Sequence, residues 1–104
     1  DAIKIAKAVY QQQETYALAD QLRRAAVSVP SNIAEGQARK SSGDFRRFLH
    51  IALGSLAEVD TQLVLAQEFG YLSMDDINPM NEQIQNLRKK LYALITTLPP
   101  TTNR

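Results

Sequence analysis

Apolar residues recur at helical spacing along almost the whole chain. Ala2, Ile5, Ala6 and Val9 share one face of a first helix over about 1–12. QQQET at 11–15 reads as a short polar connection. Leu18, Leu22, Ala25, Val29 and Ile33 follow at intervals of four, three, four and four, a buried-stripe period over about 15–36. A third helix spans 42–69, with Phe45, Phe48, Leu49, Ala52, Leu56, Val59, Leu63 and Ala66 on its main face. A fourth spans 73–98, where Ile77, Met80, Ile84, Leu87, Leu91, Leu94 and Leu98 keep the three–four spacing of a coiled-coil seam. No run alternates as a strand would.

The boundaries have physical causes. Ser42 or Gly43 is the expected cap of the third helix, with Asp44 in its first turn. Gly70 stops that helix, and Ser73 starts the next. Pro99 and Pro100 end it, and the TTNR tail is expected to fray. Pro30 interrupts the second stripe, where a proline costs about 3 kcal/mol. The stripe keeps phase across it, since Val29 and Ile33 stay four apart. The pattern therefore predicts a helix kinked at Pro30, with Ser28, Ser31 and Asn32 able to satisfy nearby backbone groups. Four helices and short connections define an all-α, antiparallel up-down-up-down four-helix bundle, one domain over residues 1–104.

The third helix carries a further stripe that a solitary bundle does not need. Arg47, Ile51, Gly54, Glu58, Thr61 and Leu65 line a second face, and Leu53 and Val64 lie between the two faces. A helix apolar nearly all round is normally buried on several sides. Gly54 in mid-helix costs about 1 kcal/mol relative to alanine, which a close second backbone would explain. Ser28, Ile51, Gly54 and Leu65 are the expected oligomer-interface residues. Scattered surface leucines on a monomer are the alternative. Arg24, Asn32, Glu35 and Glu58 are candidates for a polar network tying the second helix to the third, or are simply solvated.

Composition narrows the chemistry. With no cysteine, a disulfide framework and a cysteine metal site are excluded, and a reducing cytoplasm is the expected location. No signal peptide is recognised at the start, which opens abruptly in a helix, so a few upstream residues are expected to be missing. No apolar run approaches the roughly 20 residues of a membrane span, so no membrane partner is expected. His50 is the sole histidine, so no metal site or cofactor is expected. Ser55, His50 and Glu58 are ordinary helical neighbours without an oxyanion loop, and no catalytic residue is assigned.

Charge is uneven beneath a net +1. Residues 23–50 carry six basic side chains against Glu35 and Asp44, a net +4; residues 51–87 carry six acids and no Lys or Arg. Residues 88–104 return to a net +4, and Arg39, Lys40, Arg46 and Arg47 form the candidate basic cluster, with Arg46 and Arg47 near a helix start where the dipole disfavours cations. Phosphate contact with RNA or DNA, pairing with a neighbouring protomer, and a solvated surface are the three readings of it.

LADQLRRAAVSVPSNIAEGQAR, followed by FRRFLHIALGSLAEVDTQLVLAQEFGYL, resembles the bacterial 23S rRNA intervening-sequence protein family, also called the four helix bundle protein family. The resemblance covers roughly residues 18–72. It implies a four-helix bundle that assembles as a homopentamer; that the protein is not an enzyme is expected instead from the lack of a catalytic motif. A related bundle, the accessory protein of diversity-generating retroelements, is a basic pentamer that binds nucleic acid and a reverse transcriptase. Two functions follow as expectations: an oligomeric scaffold or adaptor for a protein partner, or a ring that binds RNA or DNA electrostatically through the 39–47 region.

Overall fold

The computed structural model describes residues 2–100, without the side chains of 7–14. Three helices occupy the described residues: α1 (Ala2–Gln37), α2 (Ser42–Glu68) and α3 (Met74–Thr97). The frayed tail expected at 101–104 lies outside them.

The segments expected as two helices over 1–12 and 15–36 form one continuous helix, α1, without a break at QQQET. The physical reason is composition. Gln and Glu are good helix formers, and no glycine or proline stands between Ala2 and Val29 to end the ladder. The helix also runs through Pro30, which is exposed. Asn32 reinforces the turn there, its side-chain amide donating to the Ser28 carbonyl at 2.8 Å and to the Ser28 hydroxyl at 2.9 Å.

The other boundaries agree closely with the pattern. The cap of α2 is Ser41, one residue before those expected, and its hydroxyl accepts from the Asp44 N–H at 3.1 Å. Gly70, at φ 79°, closes the C-terminus of α2 in a Schellman arrangement. There the Tyr71 N–H bonds the Ala66 carbonyl at 2.8 Å, and the Gly70 N–H bonds that of Gln67 at 3.0 Å. Ser73 and Asp76 form a reciprocal capping box at the start of α3.

α2 is the central element, packed on α1 along one side and on α3 along another, while α1 and α3 do not touch closely. Contacts run in opposite order along α1 and α2. Gly36 lies against Phe45 and Phe48, and Ser28 bonds Ser55 at 2.7 Å. Leu18 and Ala19 lie beside Ala66. The α2–α3 seam shows the same reversal. Arg46 donates to the Pro99 carbonyl at 2.6 Å, and Arg88 pairs with Asp60 at 3.7 Å.

Val29, Leu49, Ala52, Leu53, Leu56, Leu63, Ile84 and Leu91 form the core, with Leu49 and Leu63 its largest fully buried side chains. By length and composition α2 is apolar enough to cross a membrane, contrary to the expectation from apolar runs. Its packing against both neighbours accounts for that apolarity, as in the core helix of a bundle. The molecule is elongated, 67 × 25 × 18 Å.

Candidate functional site

The side of α2 turned away from the core is the most distinctive surface. Gly54, Ala57, Glu58, Thr61, Gln62 and Leu65 line a shallow concavity with Gln21 of α1. A second concavity adjoins it, where Gln21, Arg24, Ala25 and Ser28 of α1 face Ser55, Glu58 and Gln62. Helical spacing produces this face: 54, 58, 61 and 65 step by four, three and four. Ile51 and Leu65 are each 40% exposed, and Val64 is more so.

Two details show that this face is not explained from within the chain. A Cβ added at Gly54 would meet nothing within 4 Å, so no contact of this chain demands glycine there. Gly36 is the opposite case, because a Cβ there would come within 2.8 Å of Phe45 Cδ1 and of Phe48 Cβ. The second detail is Gln62, whose Oε1 is buried without a hydrogen-bond partner. Buried polar atoms are normally satisfied, so an orphan acceptor beside both concavities is a notable exception.

The expected interface residues separate accordingly. Gly54 and Leu65 line the concavity and Ile51 is exposed, whereas the Ser28 hydroxyl is engaged within the chain, with Ser55 and Asn32. Of the four network candidates, only Arg24 and Glu58 share a concavity. Arg24 pairs with Asp20 at 2.8 Å, Asn32 bonds one turn back to Ser28, and Glu35 pairs with Arg39 at 2.6 Å. The Ser28–Ser55 hydroxyl pair, a direct polar link between α1 and α2, is missed by periodicity. Two serines facing each other across a small-residue seam were the available signal.

The basic cluster divides at the α1–α2 connection. The guanidinium carbons of Arg39 and Arg47 lie 5.0 and 4.5 Å from the Phe48 ring centroid, within cation–π range. Arg47 also lies 3.8 Å from Asp44. Lys40 is exposed beside them. Arg46 instead reaches the end of α3, donating to the Leu98 and Pro99 carbonyls. Its role there is to hold the start of α2 to the last turn of α3.

Among the described residues, two carboxyl groups are clearly perturbed. The Arg23 hydrogen bond and the Arg24 charge hold Asp20 below its usual value. Hydrogen bonds from the Ser73 N–H and hydroxyl do the same for Asp76. Among the described residues, no three or more His, Asp or Glu side chains gather as metal ligands would. His50 is exposed on α2.

Fold and surface together define an all-helical protein whose central helix has one filled face and one open face. The chain belongs to the 23S rRNA-intervening sequence protein family, whose family model matches residues 1–93. No curated protein matches the chain.

Proposed function

We propose that this chain is a non-enzymatic subunit of a homo-oligomer, a homopentamer by family resemblance, that serves as a scaffold or adaptor for a protein partner. The subunit is an antiparallel helical bundle bent at Pro30. The observation that carries the reading is Gly54, a mid-helix glycine that nothing in its own chain requires, set in a partly apolar face. A neighbouring subunit approaching that face gives the glycine a reason and covers Ile51 and Leu65. A donor from the neighbour satisfies Gln62. Native mass spectrometry and light scattering test it. The parent chain is expected as a closed oligomer, and Gly54→Leu as a monomer with unchanged helicity. A monomeric parent at tens of micromolar sinks the reading.

A second reading rests on the end of the molecule where Arg39, Lys40 and Arg47 gather around Phe48. It is a ring that binds RNA or DNA electrostatically. Its weakness is that Glu35 and Asp44 already neutralise part of the cluster. Fluorescence anisotropy against salt separates the two readings. Phosphate contact with a single strand gives a log–log slope of about −0.7 per charge neutralised. Affinity that is lost on reversing Arg39, Lys40 and Arg47, with the oligomer intact, establishes it.

A further inference from the structure

The side of α1 turned away from α2 is exposed, and part of it is apolar. Tyr16 and Val27 stand 68% and 58% exposed there. Tyr16, Asp20, Arg23 and Val27 step by four, three and four, so they form one stripe along the back of the helix. Arg23 and Arg24 share the single Asp20 carboxylate, each at 2.8 Å, which leaves the trio one positive charge in excess.

The Gly54 face has the opposite deficit. Leu65, Thr61, Glu58 and Gly54 of α2 step by the same four, three and four in the reverse direction. Among the described residues nothing pairs with the Glu58 carboxylate. One turn on, the Gln62 Oε1 is without a donor. The hydroxyls of Ser28 and Ser55 are engaged with each other, and Arg24 is held by Asp20. Glu58 and Gln62 are therefore two acceptors a turn apart with no donor between them. A guanidinium suits them, since its fork grips a carboxylate with two N–H groups and has others for an amide oxygen.

We infer that the back of α1 of one copy docks antiparallel on the Gly54 face of the next, with Arg23 completing Glu58 and Gln62. The inference rests on the oligomer reading above, and adds which surfaces meet and in what register. One register serves all four positions. With Arg23 opposite Glu58, Val27 falls opposite Gly54, Asp20 opposite Thr61 and Tyr16 opposite Leu65. Val27 then fills the gap that the glycine leaves, the Thr61 hydroxyl donates to Asp20, and Tyr16 covers Leu65. A turn of the Gln62 amide brings Oε1 to the Arg23 fork, while Arg24 keeps Asp20. A parallel docking with the same ion pair fails. It sets Asp20 opposite Ser55, which is buried, and leaves Gly54 and Leu65 open. The two surfaces are different patches of the chain, so the contact runs head to tail, the kind that closes into a ring and not into a two-fold pair.

Charge reversal and cross-linking test the register on the full chain. Arg23→Glu and Glu58→Arg, made singly, are each expected to raise the concentration for half-assembly by about tenfold or more in light scattering, because each sets like charges face to face. The double variant with both reversals is expected to recover most of that loss, with circular dichroism checking that helicity is kept throughout. The chain has no cysteine, so the register is also read directly. A chain carrying both Tyr16→Cys and Leu65→Cys, oxidised at tens of micromolar, is expected to give a ladder of linked chains, and each single-cysteine variant to stay unlinked. Single reversals that leave assembly unchanged, or a double reversal that recovers nothing, overturn the register. So does Leu65→Cys linking by itself, because the face then meets its own counterpart across a two-fold axis. In each of those outcomes the oligomer reading survives, whereas a monomeric parent removes both.

Discussion

Gly36 and Gly54 lie eighteen residues apart, one near the end of α1 and one in mid-α2, and they do opposite things. At Gly36 the neighbouring helix is already in place, and the missing side chain is the space that Phe45 and Phe48 fill. At Gly54 there is no neighbour within the chain. The same contrast holds for the two faces of α2. Leu49, Ala52, Leu56 and Leu63 are enclosed by α1 and α3, while Ile51, Gly54 and Leu65 are open. A bundle whose core alone mattered would put alanine at 54, where helix propensity favours it. The inner face supports the chain, and the outer face is the one proposed for assembly.

The sharpest way to break the comparison is to truncate both faces. Leu49→Ala leaves a cavity at a position with 0% exposure. It is expected to destabilise the chain by about 2–5 kcal/mol in a denaturant titration. Leu65→Ala, at 40% exposure, is expected to change single-chain stability by under about 0.5 kcal/mol while lowering oligomer mass at low concentration. Equal losses of stability at the two sites would erase the distinction.

The glycines come next. Gly36→Ala forces a Cβ against two phenylalanines and is expected to cost about 1–3 kcal/mol. Gly54→Ala is expected to stabilise the isolated chain by up to about 1 kcal/mol. Its effect on assembly is read separately by mass. A Gly54→Ala that destabilises the monomer would mean that the outer face has an intrachain role.

Much of this contrast is legible in the residues, and some is not. The boundaries of α2 and α3 fall within a residue or two of expectation because Gly70, Ser73 and Pro99 act locally. The inner stripe is legible because burial follows helical period. The continuity of α1 through 11–15 is not, because polarity resembles a loop while Gln and Glu favour helix. Polar partners are the least legible. Glu35 is taken by Arg39 one turn away, and Arg46 by carbonyls more than fifty residues later in the chain. Neither choice leaves a trace in spacing.

The smallest expected effects lie at the caps, away from both faces. Ser73→Ala removes the hydroxyl that accepts from the Asp76 N–H and is expected to cost about 1 kcal/mol. The same box sets a pH dependence. Asp76 is held below its usual value of 3.8, first by the Ser73 N–H and then by its hydroxyl. A carboxyl lowered in the folded state favours folding above its unfolded value, and that contribution fades as pH falls through the lowered one. Asp20 acts in the same direction through Arg23 and Arg24. Stability is therefore expected to be flat above about pH 5 and to decline towards pH 2, with the decline shallower in Asp76→Asn. The inner core contains no ionisable side chain among its members, so it contributes no slope of its own. A transition in oligomer mass well above pH 5, with chain stability still flat, would place a titrating contact on the outer face and separate the two faces by pH alone.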